Sequence, residues 1–220
     1  MGDLFKMNKN IFIKTLPKNT LKLVQMFTKT KPDFLQDFYL SGGTALSLQI
    51  GHRESEDLGF FSQKPFNPEL LQQDLIKYGQ LTQTELDKGT LNTFIDGVKL
   101  QFLEYPYALV KPTIDWESIQ LSSIEDIACT KLQTIGTRGS KKDFIDLYYL
   151  LKIYTLNELF AFMDTKYGEI DYNKVHIMKS LVYFQDAELQ PMPRMHKTTP
   201  WNNVKEEIIK TVKTYEFDEG

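Results

Sequence analysis

The run SGGT at 41–44 and the run GHRESED at 51–57 bring glycines, hydroxyls, a histidine, an arginine and carboxylates close together along the chain. Gly42 and Gly43 have no Cβ, so the backbone there can turn sharply and approach a ligand closely. Thr44 supplies a hydroxyl where a helix is expected to begin. The unpaired amides of a first helical turn suit a phosphate. Taken alone, such a turn reads first as an ordinary turn and helix cap. Its neighbours sharpen the reading: Arg53 could pair with phosphate oxygens, and Ser55 adds a hydroxyl beside the same turn. Asp57 opens an expected strand, from which its carboxylate could hold Mg²⁺, a hard cation that takes oxygen ligands and shares them with nucleotide phosphates. His52, His176 and His196 show no paired spacing, which gives a histidine-based zinc site little support.

The second chemical stretch is SIEDIACTKLQTIGTRGSKKDFIDLYYLL at 123–151. Ile124, Ile127, Ala128 and Ile135 mark the inward stripe of a helix, and Lys131 falls within that stripe. An ammonium there either snorkels to the surface or faces an anion. Buried charge without a partner is too costly to ignore. Asp143 and Asp146 share a helical face with Leu147 and Leu150, so carboxylates sit beside groups that should point inward. A static Lys131 to Asp146 pair tying helices together and a catalytic set are both compatible with this spacing.

The elements that must position these groups can be read from periodicity. Residues 18–38 carry apolar groups at helical spacing until Pro32 interrupts them. Phe38 and Leu40 lead as a brief strand into the glycine turn, after which ALSLQI reads as a helix closed by Gly51. DLGFF at 57–61 is the next strand, and Pro68 to Tyr78 is helical. The stretch 82–107 alternates and turns at Lys88-Gly89 and Asp96-Gly97, as antiparallel strands do. From Ser122 the period becomes helical, with helices near 123–136, 141–153, 155–165, 173–187 and 201–213, and a proline-rich loop at 191–200. The expected architecture is an α/β (α+β) lobe with a mixed sheet over 1–115, followed by a helical lobe over 116–220 that closes a cleft. Within GVKLQFLEYP, Lys99, Gln101 and Leu103 lie on one face and Val98, Leu100, Phe102 and Glu104 on the other.

Composition bounds the function classes. With 220 residues, 41% hydrophobic and 25% charged, the chain suits a folded globular protein rather than a disordered one. A formal charge of -3 gives no broad basic field for nucleic acid, although a local basic cleft remains compatible with it. The single cysteine, Cys129, reads as helix packing and agrees with a reducing compartment. No stretch reaches the length of a membrane span, and MGDLFKMNKNIF lacks the apolar run of a secretion signal, so the expectation is a cytoplasmic protein. Lys6 stands where myristoylation prefers Ser or Thr. The acidic carboxyl end argues against a terminal nucleic-acid arm.

The run SGGTALSLQIGHRESEDLGFFS at 41–62 resembles the opening motif of the AbiEii/AbiGii toxin family, nucleotidyltransferases related in fold to polymerase-beta-type minimal transferases. Family members read GG(S/T)AL, then GHR, a serine and Asp-x-Asp. By position, Gly42, Gly43 and Thr44 resemble the phosphate-binding turn, Ser55 the serine, and Asp57 the first metal-binding aspartate. Gly59 stands in place of the second. The second stretch is similar to the family in Lys131, Arg138, Lys142, Asp143, Asp146 and Leu147, of which the resemblance implies an active-site role for Lys131 and for Asp146 or Asp143.

The resemblance implies transfer of a nucleotide from a nucleoside triphosphate, with Mg²⁺, to an RNA end, notably transfer RNA, or to a protein hydroxyl, in the toxin of a toxin–antitoxin or phage-defence system restrained by a cognate antitoxin. Because residues 57 and 59 share one side of a strand, Gly59 leaves one carboxylate where a pair would share metal ions. Metal binding without nucleotide is therefore expected to be weak or absent. A third carboxylate from the neighbouring strand could only be Glu104, on the core-like face. The rival expectation is a pseudoenzyme that keeps the fold as a nucleotide-binding or protein-interaction module, and a further one is a structural helical adaptor. All functional expectations require the glycine turn, Asp57 and Lys131 to line one shared cleft.

Overall fold

The computed structural model describes residues 11–168 and 172–215. The amino-terminal run read above for targeting, up to residue 10, and the acidic end at 216–220 lie outside the described residues. A mixed α/β sheet layer is followed by a helical layer.

Helix α1, Lys18–Thr30, buries Leu23, Val24 and Phe27 and ends at Lys31, which takes a left-handed conformation at φ 49 just before Pro32. After a short 3₁₀ turn come β1, Tyr39–Ser41, and directly α2, Gly42–Ile50, closed by Gly51 at φ 64. Strand β2, Leu58–Ser62, leads to α3, Pro68–Leu75, whose start is set by Pro68 and by the Asn67 side chain accepting from the Leu70 amide. Strands β3, Leu81–Asp87, β4, Thr90–Ile95, and β5, Val98–Glu104, form a meander. Its turns are made at Gly89 and at Asp96-Gly97, all with positive φ.

A hairpin absent from the expected pattern follows: β6, Ile114–Trp116, and β7, Ile119–Leu121. Each strand is too short for alternation to register. The lobe boundary expected between 115 and 116 falls inside β6, so the sheet draws its last strands from 114–121. The sheet order is β3-β4-β5-β2-β1-β7-β6. Strand β1 is antiparallel to β2 and parallel to β7, and β2 is parallel to β5.

The sheet faces divide the labour. Leu58, Phe60, Leu100 and Phe102 are fully buried on one face, where the Phe60 and Phe102 rings stack at 5.1 Å and Phe60 meets Phe27 of α1 at 6.3 Å. The alternate residues of β2 and β5 look the other way, toward the helical layer.

That layer is α4, Ile124–Arg138, α5, Lys141–Leu150, α6, Leu156–Tyr167, α7, Lys174–Leu181, α8, Gln185–Glu188, and α9, Trp201–Lys213. Caps at Ser123, Thr155 and Asn173 set the starts of α4, α6 and α7. The single helix expected over 173–187 is broken after Leu181. There Phe184 leaves the helical path to pack on Phe144 at 4.8 Å and on Trp201 at 5.8 Å.

Cys129 is buried in α4, and burial pushes its thiol up to about 12, which suits the packing role expected of it. Asp126 of α4 accepts from Lys166 of α6 at 2.6 Å and from the amides of Val110 and Lys111, fixing the segment after β5 to the helices. Among the described residues no helix is long and apolar enough to cross a membrane.

Candidate active site

The β1–α2 junction is built around its glycines. Gly42 sits at φ 68, a region costly for residues with a side chain. Gly43 is needed for space: a Cβ there would come within 2.5 Å of Arg53 Nη2 and 3.4 Å of Ser55 Oγ. The Thr44 hydroxyl is hydrogen-bonded to Ser55 Oγ at 2.8 Å and donates to the carbonyl of Asp57. Thr44 and Ser55 thus tie the start of α2 to the chain entering β2. Ser41 Oγ is buried at the same junction without a hydrogen-bond partner among the described residues.

Behind the turn lies a buried charge cluster centred on Asp146, which is fully buried. His52 Nε2 lies 2.8 Å from Asp146 Oδ1. Arg53 donates from Nε to Oδ1 at 2.7 Å and from Nη2 to Oδ2 at 2.8 Å, a fork-on-carboxylate geometry. Lys131 Nζ reaches Asp146 Oδ2 at 2.6 Å and Asp143 Oδ1 at 2.8 Å. Asp143 also accepts from the Ser140 amide at 3.2 Å and the Ser140 hydroxyl at 2.6 Å at the start of α5.

Burial alone would push the Asp146 carboxyl up, but Arg53, Lys131 and the hydrogen bonds from His52 and Arg53 hold it well below the usual range. Burial likewise opposes the charges on Lys131 and Arg53. The carboxylates outweigh it and raise both groups above their ordinary values. For His52 burial wins, and its value is lowered, so it is neutral and gives Asp146 an N–H rather than a charge.

The proline-rich segment holds this arrangement from outside. The His52 carbonyl accepts from the amides of His196 and Lys197, at 2.9 and 3.1 Å, and the Glu54 amide donates to the Arg194 carbonyl at 2.8 Å.

A cleft of about 640 Å³ opens between sheet and helices, a size in the range of roughly 300–1,000 Å³ common for small-molecule sites. Among the residues expected from sequence to form the site, Gly42, Gly43, Thr44, Arg53, Ser55, Asp57, Lys131 and Asp143 line it. Asp146 is set behind this lining, in contact with Arg53 and Lys131. Its oxygens are committed to their donors, so it is placed to position cations rather than to take a proton.

The cleft also takes in Gly59, Lys99, Gln101, Arg138 and Lys142. Lys99 and Gln101 were visible in the sequence only as one face of a strand. What puts them in the cleft is the parallel register of β2 with β5, in which Gly59 pairs with Gln101. Glu104 pairs with Ser62 at the far end of the ladder and lies against Gly89, away from the cleft.

The donors around Asp57 do not fit a magnesium ion held by the protein alone. Such an ion needs several oxygens, usually including carboxylates. Here Asp57 faces Gly59, which has no side chain, and Gln101, which is neutral. Asp143, the other cleft carboxylate, is taken up by Lys131 and Ser140. Among the described residues no group of three or more His, Cys, Asp or Glu could hold a metal.

Comparison with known proteins decides the family. The model of the nucleotidyl transferase AbiEii toxin of type IV toxin–antitoxin systems matches residues 26–108 and 97–220. The chain belongs to this AbiEii family. An uncharacterized protein of Aquifex aeolicus, aq_aa25, is 38% identical over 185 residues, covering 81% of this chain and 88% of that one. Two solved structures share the fold at low identity. JHP933 from Helicobacter pylori superposes with a TM-score of 0.55 at 20% identity, covering 90% of this chain and 92% of that one. MenT4, a nucleotidyltransferase toxin from Mycobacterium tuberculosis, gives a TM-score of 0.54 at 12% identity, with 92% and 88% covered. The AbiEii match spans both the glycine turn and the Lys131 helix, so the cleft described above is built wholly from family-matched sequence.

Proposed function

We propose that this AbiEii-family chain transfers a nucleotide from a nucleoside triphosphate to an RNA end, with transfer RNA the leading acceptor and a protein hydroxyl the other, as the toxin of a pair restrained by a cognate antitoxin. The observation that carries the reading is that the Gly42-Gly43 turn, Asp57 and Lys131 line one open cleft of about 640 Å³.

The phosphates lie over the start of α2, where free first-turn amides and the buried Ser41 hydroxyl face the ligand. Lys131, whose ammonium carries more donors than Asp143 and Asp146 take up, offers a remaining N–H to the phosphates. The acceptor oxygen bonds to the α-phosphorus as the α–β phosphorus–oxygen bond breaks, and pyrophosphate leaves with the bridging oxygen. The proton of the acceptor hydroxyl passes to Asp57, the cleft carboxylate whose side chain has no hydrogen bond among the described residues. Arg53, locked by Asp146, adds fixed positive charge beside the turn. Such transfer depends on alignment and charge stabilisation more than on covalent chemistry by the protein.

Gly59 and Gln101 beside Asp57 favour a second reading, in which the cleft binds nucleotide without turning it over and the protein acts as a binding module. Purified protein incubated with each labelled triphosphate, total RNA and total protein separates the two. Label that moves to a macromolecule supports transfer. Tight nucleotide binding with no label moved to either acceptor supports the module.

A further inference from the structure

We infer that the cleft holds the phosphates of its nucleoside triphosphate through side-chain cations led by Lys99, so that binding does not require a divalent ion. This rests on the triphosphate reading above and concerns how the same cleft takes its ligand.

The parallel ladder of β2 and β5 begins at Leu58 and Leu100 and pairs Gly59 with Gln101. Asp57 and Lys99, two positions before Gly59 and Gln101 on their chains, both line the cleft. The carboxylate that could recruit a metal thus shares its cleft with an ammonium from β5.

Lys99 is exposed, lines the cleft and makes no ion pair or hydrogen bond among the described residues. It is therefore free for a ligand. Arg53 and Lys131 are balanced by Asp143 and Asp146. This leaves Lys99, Arg138 and Lys142 as the cleft cations set against Asp57. Of these, Lys142 comes only within 4.0 Å of Glu56, with both side chains largely in solvent, and Arg138 has no partner among the described residues. A triphosphate is strongly anionic, and clefts lined by one sign of charge concentrate ligands of the other. At Gly59 and Gln101, where further carboxylates would bind a metal, the chain presents no side chain and a neutral amide. The cations supply the charge that a metal would bring.

The test is equilibrium binding of ATP, GTP, CTP and UTP to the full chain by titration calorimetry, in EDTA and in Mg²⁺. For the preferred triphosphate the Kd in EDTA is expected to lie within about threefold of that in Mg²⁺. Lys99→Gln is expected to weaken the EDTA affinity by about tenfold, and Lys99→Arg to retain it. Gly59→Asp is expected to weaken binding in EDTA and to make it respond to Mg²⁺. Room exists for that side chain, because a Cβ at 59 meets nothing closer than 3.7 Å. Binding that appears only with Mg²⁺, or an EDTA affinity unmoved by Lys99→Gln, overturns the inference while leaving the transfer reading intact. No binding of any triphosphate in either buffer overturns both.

Discussion

Arg53 grips Asp146 with parallel hydrogen bonds of 2.7 and 2.8 Å, and both side chains are almost completely buried. The pair joins the loop after α2 to helix α5, so it couples the glycine-turn motif to the helical motif across a long stretch of chain. Lys131 completes the cluster from α4.

Replacing Asp146 with Asn leaves Arg53 and Lys131 buried with too little negative charge. Removing one partner of a buried pair costs about 3–5 kcal/mol. The expected outcome is a loss of that size in urea-unfolding free energy. A change below about 1 kcal/mol would mean that the cluster is hydrated or able to rearrange.

The same cluster sets the pH response. Asp143 and Asp146 are held below their ordinary value of 3.8, so the stability they contribute is fully present above that value and is lost as pH falls through their depressed values. Lys131 is raised above 10.5, so its contribution is present below that value and is lost only as pH rises through the raised one. Unfolding free energy should therefore owe no slope to these three groups from about pH 5 to pH 9, whereas His52, held neutral in the fold with its value lowered from 6.5, makes stability fall as pH drops below 6.5. In Asp146→Asn the loss should be about the same across that range. A wild-type loss between about pH 7.5 and pH 9 that is absent from Asp146→Asn would place a further titrating group in the cluster.

Gly43→Ala tests the packing of the turn. The added Cβ would meet Arg53 Nη2 at 2.5 Å, and the fork on Asp146 leaves that nitrogen little freedom. Overpacking of this kind costs about 1–3 kcal/mol. Triphosphate affinity should fall with stability, because the displaced guanidinium lies at the phosphate end of the cleft. Wild-type stability and affinity in the variant would show that Arg53 moves aside freely.

Much of this was legible in the sequence, for reasons that can be named. SGGT followed by an apolar helical run marks a strand, turn and helix. Lys131 in an apolar stripe had either to snorkel or to meet an anion, and Asp143 and Asp146 were the nearby carboxylates on an inward face. Periodicity could not say that Asp146 would be shared among Lys131, Arg53 and His52, because Arg53 and His52 lie on a distant loop. It also could not place Lys99 in the cleft. Alternation gives the face of a strand but not its partner, and the parallel pairing of β5 with β2 is a long-range choice. The hairpin of β6 and β7 escaped because its strands are only three residues each.

The central claim is that this cleft transfers nucleotides, and it is tested most directly with α-labelled triphosphates, a mixed transfer-RNA pool and separation of products by size. Wild-type protein is predicted to move label onto RNA, and Asp57→Asn to lose at least about a hundredfold of that rate, as expected when a proton-transfer group is removed. Equal labelling by wild type and Asp57→Asn would contradict the account, as would the absence of label on both RNA and total protein with all four triphosphates.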